Sequence, residues 1–136
     1  MGLGKTQEEI LMDISAEDEK LEKYMKDPKN WFKKEAQNAL KMAPTRYSEF
    51  HIGGFVRQVD DLVKHVENHL AGLDAEIASL QVIIDDHLWI PRGFSETALA
   101  SLREARARTE EHRKRLEAVR EGFKALPREG AHGSTF

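Results

Sequence analysis

His65 and His69 stand four residues apart, so a helix through that stretch would put both imidazoles on one face. Two neutral imidazoles at that spacing can share a zinc ion, and an antiparallel partner segment would bring His112 roughly opposite the residues after His69. The motif does not match a known metal helix. The only glutamate between them, Glu67, sits two residues after His65, whereas a zinc protease helix places it immediately after the first histidine. A di-iron bundle needs two facing Glu-x-x-His motifs, which this chain does not carry. The pattern is read as polar, partly exposed histidines, with no metal and no cofactor implied. There is no cysteine to act as thiolate ligand or nucleophile, and the sequence pairs no Ser, Lys or carboxylate with a group that would activate it. No catalytic residues are assigned, and an enzyme is not expected.

Four short motifs carry other chemistries. Met1-Gly2-Leu3-Gly4-Lys5-Thr6-Gln7 resembles motif I of the Snf2-type helicases, and Val82-Ile83-Ile84-Asp85-Asp86-His87 resembles a Walker B strand. A phosphate loop works by aiming backbone amides from a turn held between a buried strand and a helix. The sequence shows no parallel-sheet pattern, and Asp85-Asp86 falls on a helical stripe, so an ATPase is rejected. Gly2 with Thr6 fits the loose N-myristoylation pattern, and Ser134-Thr135-Phe136 fits a PDZ-type terminal ligand. Neither is specific enough to act on.

Charge divides along the chain. Net charge is −4 over residues 1–27, +4 over 28–48, −6 over 49–90 and +3 over 91–136. The last two segments read as an acidic and a basic arm, which favours their antiparallel pairing. Arg106, Arg113, Lys114 and Arg115 give the basic arm a surface that could meet phosphates, but glutamates are interleaved and the whole chain is negative. Nucleic acid is therefore not the expected partner and is kept only as an alternative. No stretch is apolar for long enough to span a membrane, and neither a signal peptide nor a disulfide framework is evident, so the reading is cytoplasmic, or part of an assembly formed there.

The elements that must position these residues are helical throughout. Ile10, Ile14, Leu21 and Met25 predict a helix over about 7–26, unless Ser15 with Asp18 starts it later as a capping box. Asp27-Pro28 opens a second helix expected over Pro28 to Met42, burying Phe32, Ala36, Ala39 and Leu40. After Ser48 comes a long stripe: Ile52, Phe55, Val59, Leu62, Val66, Leu70, Leu73, Ile77, Leu80, Ile84 and Leu88. Its steps average about 3.6 residues, which keeps it on one face of a nearly straight helix, with Gly53-Gly54 marking a start or a bend. Pro91 and Gly93 punctuate, Ser95 is the expected cap, and a last helix runs from Glu96 to Leu126 on a heptad seam that is thin at Ala105, Thr109 and His112. Pairs Glu104–Arg108, Glu110–Lys114 and Glu111–Arg115 should line its exposed face.

These elements predict an all-α fold: a long, coiled-coil-like antiparallel helical hairpin over 48–126, a packed N-terminal helical pair over 1–47, and a flexible tail over 127–136. Trp89, Ile90 and Phe94 gather at the hairpin tip, more apolar surface than two helices can bury, and are the candidate partner-binding residues. The expected function is non-enzymatic protein–protein interaction or assembly, oligomeric or docked in a larger complex such as a phage particle or secretion machine. A small helical inhibitor or adaptor is the other protein-binding alternative.

Overall fold

The computed structural model describes residues 6–41, 45–86 and 92–130, with the backbone alone for 92–94. Four α-helices follow in order: α1 Gln7–Met25, α2 Lys34–Lys41, α3 Glu49–Asp85 and α4 Arg92–Lys124. The fold is the all-α hairpin with shorter N-terminal helices. α3 and α4 pack antiparallel along their length, and ion pairs mark the register: Arg106 meets Asp74 and, further along α4, Arg120 meets the earlier Asp60.

Ser48 starts α3 because its extended backbone lets Oγ accept from the His51 amide at 3.1 Å, satisfying one of the amides a helix start leaves free. The helix then runs unbroken through Gly53 and Gly54, so neither bend nor late start occurs there. A Cβ at either glycine would meet nothing within 4 Å. Alanine at both positions should therefore raise the free energy of urea unfolding by about 2 kcal/mol, simply by lowering the entropy lost on forming the helix.

α1 lies along the groove of the hairpin. Down α1, Gln7, Ile14 and Asp18 meet Glu76, Gly72 and His69 in descending order on α3, while Asp18 and Glu22 meet Arg108 and His112 in ascending order on α4. It is antiparallel to the first arm and parallel to the second. Thr6 caps it by accepting from the Glu9 amide, and the helix passes through Ser15 without interruption.

The second helix is shorter than expected. Asp27 caps a 3-10 turn at Pro28–Asn30, and α2 begins only at Lys34. Trp31 and Phe32 occupy the break and are both buried, whereas consecutive residues of one helix would point about 100° apart. The broken backbone is satisfied by side chains: the Lys33 amide donates to Gln58 Oε1 at 2.8 Å, and Gln37 Nε2 donates to the carbonyls of Lys29 and Phe32 at 2.7 and 2.6 Å. Leu40, expected in the core, is half exposed, because it lies over Gly122, which offers no side chain to cover it.

α4 likewise begins at Arg92 rather than Glu96, and Ser95 is a buried helical residue instead of a cap. Ser95, Leu99 and Leu102 follow each other at four and three residues, so packing of the seam onto α3 takes the serine inside the helix. At the open end, Tyr47 bridges to Arg128: its amide donates to the Pro127 carbonyl at 2.8 Å and its carbonyl accepts from the Glu129 amide at 2.9 Å. Arg128 reaches Glu49 and the carbonyls of Lys124 and Leu126. Of the segment read as a tail, residues 127–130 are thus placed against the start of α3, and 131–136 lie outside the described residues.

The apolar interior forms two clusters. One is aromatic and lies towards the open end, around Trp31, Phe32, Phe55 and Phe123; the other is aliphatic and lies towards the turn, around Ile14, Leu73, Leu80 and Leu102. Among the described residues no helix is long and apolar enough to cross a membrane.

Candidate functional site

Between the two apolar clusters, three helices contribute five polar side chains to one junction. Asp18 on α1 is buried and takes two partners: His69 Nε2 of α3 lies 3.0 Å from Oδ1, and Arg108 Nη2 of α4 donates to Oδ2 at 2.9 Å. One turn on, Glu22 pairs with Arg108 Nε at 3.4 Å and with His112 Nε2. The carboxylates are i, i+4 on α1, and Arg108 and His112 are i, i+4 on α4, so the two rows mesh as neighbouring helical ridges do. Thr109 fills the level between them and closes its hydroxyl onto the Ala105 carbonyl at 2.8 Å.

This arrangement revises the expectation for the histidines. His69 is buried rather than partly exposed, because α1 covers it; His112 faces Glu22, with its Nδ1 buried and unpartnered; His65 stays exposed on α3. The three are not gathered around one point, and among the described residues no three His, Cys, Asp or Glu side chains are placed to hold a metal. Each buried imidazole has its own carboxylate instead. Arg108 pairs with Asp18 and Glu22 rather than the expected Glu104, since the buried Asp18 and partly buried Glu22 offer a stronger field than a solvated carboxylate.

A second constellation was not foreseen. Ser48 Oγ lies 2.8 Å from His51 Nδ1, and His51 Nε2 lies 3.7 Å from Glu35, which places a hydroxyl, an imidazole and a carboxylate in line. The serine is already engaged as the cap of α3, and both His51 and Glu35 are open to water, where electrostatic activation of a hydroxyl is weak. The geometry does the work of a helix start.

No family model matches this chain. No curated protein or solved structure matches it either. The remaining sequence candidates are therefore placed on their own geometry. Trp89 and Ile90 lie outside the described residues; Phe94 falls on the first turn of α4, its side chain also outside them. The neighbouring stretch of α3 is described: Val82 is 55% exposed and Ile83 and Ile84 are partly so, just before the turn.

The basic surface of α4 is largely neutralised. Arg106 pairs with Asp74, Arg113 with Glu110 and Glu117, and Lys114 with Glu111 at i, i+3 in place of the expected Glu111–Arg115 pair. The hydrogen bond from Arg113 holds the Glu110 carboxyl below its ordinary range, so both partners carry charge at neutral pH. Arg115 is exposed.

Glu76 is the other buried acid. It faces the start of α1, where Gln7 Nε2 donates to it, and burial pushes its carboxyl above the ordinary 4.5. The folded protein then binds this proton more tightly than the unfolded chain, so the contribution to stability is full below the unfolded value and is lost as pH rises through the raised folded one. Glu76→Gln, which keeps an oxygen for Gln7 and removes the buried charge, should raise the thermal midpoint at about pH 7 and leave it unchanged below about pH 4.

Proposed function

We propose that this chain is a non-enzymatic protein–protein interaction or assembly component that associates through the turn end of its hairpin, with a second copy or within a larger complex such as a virion or secretion assembly. One observation carries this reading. α1 reaches only as far as Glu76, yet α3 continues for two more turns with Val82 more than half exposed beside Ile83 and Ile84. The sequence then adds Trp89, Ile90 and Phe94 at the same end. Val82, and the exposed flanks of Ile83 and Ile84 whose other sides pack on the aliphatic cluster, are the described part of the surface that association would bury.

The basic face of α4 supports phosphate binding less well, because three of its four candidate cations are committed to carboxylates. Light scattering and native mass spectrometry of the full chain at about 100 μM test the proposal at a concentration where weak self-association shows. An oligomer that Val82→Asp converts to monomer is the expected result. A monomer in both proteins removes self-association through this end.

A further inference from the structure

The two ends of the hairpin carry opposite charge. At the turn end, residues 6–14, 74–86 and 92–106 contain nine acidic and three basic residues; at the open end, 28–41, 45–57 and 117–130 contain nine basic and five acidic. Each end also leaves a large apolar side chain on the outside of α3: Val82, 55% exposed, at the turn end and Phe50, 85% exposed, at the open end. These two are thirty-two residues apart on one unbroken helix. At about 100° and 1.5 Å per residue they lie within about 40° of the same side and about 48 Å apart. An apolar group at each end of one face, set in charge of opposite sign, is complementary to itself under a two-fold rotation, which lays each end of one copy on the other end of a second. Two turn ends meeting each other would instead oppose acid to acid.

We propose that a second copy of this chain packs antiparallel on the outward face of α3, about a two-fold axis level with Val66, so that Phe50 of each copy covers Val82 of the other. The inference rests on the turn end being an association surface, as proposed above, and names what covers it. Pairing about that level sets residues equally far from position 66 against each other. Asp86 then faces Arg46 of the other copy, once at each end of the contact. Between them Arg57 faces Ala75, Asp61 faces Ala71 and Lys64 faces Asn68, all exposed in the single chain, so no like charges meet along the face. Phe50 and Val82 leave water together, and the two equivalent contacts close the dimer.

The chain contains no cysteine, so introduced thiols report this geometry without background. Both positions are exposed, and neither substitution disturbs the core. Under mild oxidation Phe50→Cys alone and Val82→Cys alone should stay uncrosslinked, because like positions stand about 48 Å apart along the dimer. An equimolar mixture of the two, left to exchange subunits, should give a covalent dimer. The double variant should give a covalent dimer and no larger species. In native mass spectrometry of the full chain at about 100 μM, Phe50→Asp should convert the dimer to monomer as completely as Val82→Asp does. Crosslinking of Val82→Cys to itself shows turn end meeting turn end and overturns the arrangement, and a ladder of larger species from the double variant overturns it in favour of an open chain. A dimer that Val82→Asp breaks and Phe50→Asp leaves intact keeps the turn-end association and removes Phe50 as its cover. A monomeric unmodified chain overturns the two-fold pairing and leaves only docking of the turn end into a larger complex.

Discussion

Replacing Phe123 by alanine should lower the free energy of unfolding by about 3–5 kcal/mol, a large share of the stability of a chain this size. The side chain is fully buried, and its ring stands 5.5 Å from that of Phe32 and 5.4 Å from that of Phe55. Phe55 in turn meets Tyr47, and Phe32 meets Trp31, both in edge-on geometry. One ring on α4 therefore joins α3, the break before α2 and the strap that closes the open end. Deleting it leaves a cavity walled by rigid rings on separate elements, which cannot collapse together, so the cost belongs at the upper part of the range for a large-to-small change. Phe123→Leu, which fills most of the volume, should cost less than half as much. Urea unfolding followed by far-ultraviolet circular dichroism measures both, and a loss below about 1.5 kcal/mol for alanine would show that the aromatic cluster does not hold the open end.

The long apolar stripe made the hairpin legible, because a period near 3.6 sustained from Ile52 to Leu80 admits only a long helix with one buried face. The alternating charge made the antiparallel partner legible too, and Arg106–Asp74 and Arg120–Asp60 are that complementarity in atoms. What periodicity misses is a polar residue occupying a core position. In α1, Ile14, Leu21 and Met25 leave a vacancy at 18 in the four-three alternation, and Asp18 fills it; in α4 the seam thins at Thr109 and His112. Read separately, each gap is a weakness of a helix. Read together, two interrupted seams on neighbouring helices are a signal for a polar layer, because carboxylates set into a seam need donors: Arg108 of the facing helix meets Asp18, and His112 meets Glu22. Nothing in the local sequence selects which helix answers which, and that pairing emerges only from three-dimensional register. The shortened α2 was hidden for a different reason: Pro28 at a capped start looks like a helix opening, and the decision to break at Trp31-Phe32 rests on Gln37 and Gln58 satisfying the backbone from a distance.

Asp18→Ala is expected to cost about 3 kcal/mol and to act locally. A carboxylate offers only acceptors, so His69 donates from Nε2 to Oδ1; removing it leaves a buried imidazole N–H without a partner. Arg108 loses less, since its side chain is half exposed and Glu22 remains beside it. The damage therefore falls on the seat of α1. Hydrogen exchange should show the amides of α1 opening at markedly lower free energy, while those in the paired middle of α3 and α4 keep theirs, because the two arms also pack directly on each other along their length. Asp18→Asn retains an oxygen for His69 and should lose about half as much. A combined change, Asp18→Leu with His69→Leu, separates stability from specificity. Apolar residues of similar size often replace a buried ion pair at no cost, so global stability should be kept, yet α1 would lose the buried polar contact to α3 that helps to fix its position between two apolar clusters. Wild-type-like stability with heterogeneous α1 resonances would assign the junction the role of setting register. Uniform destabilisation with a single α1 state would instead make it an ordinary source of binding energy.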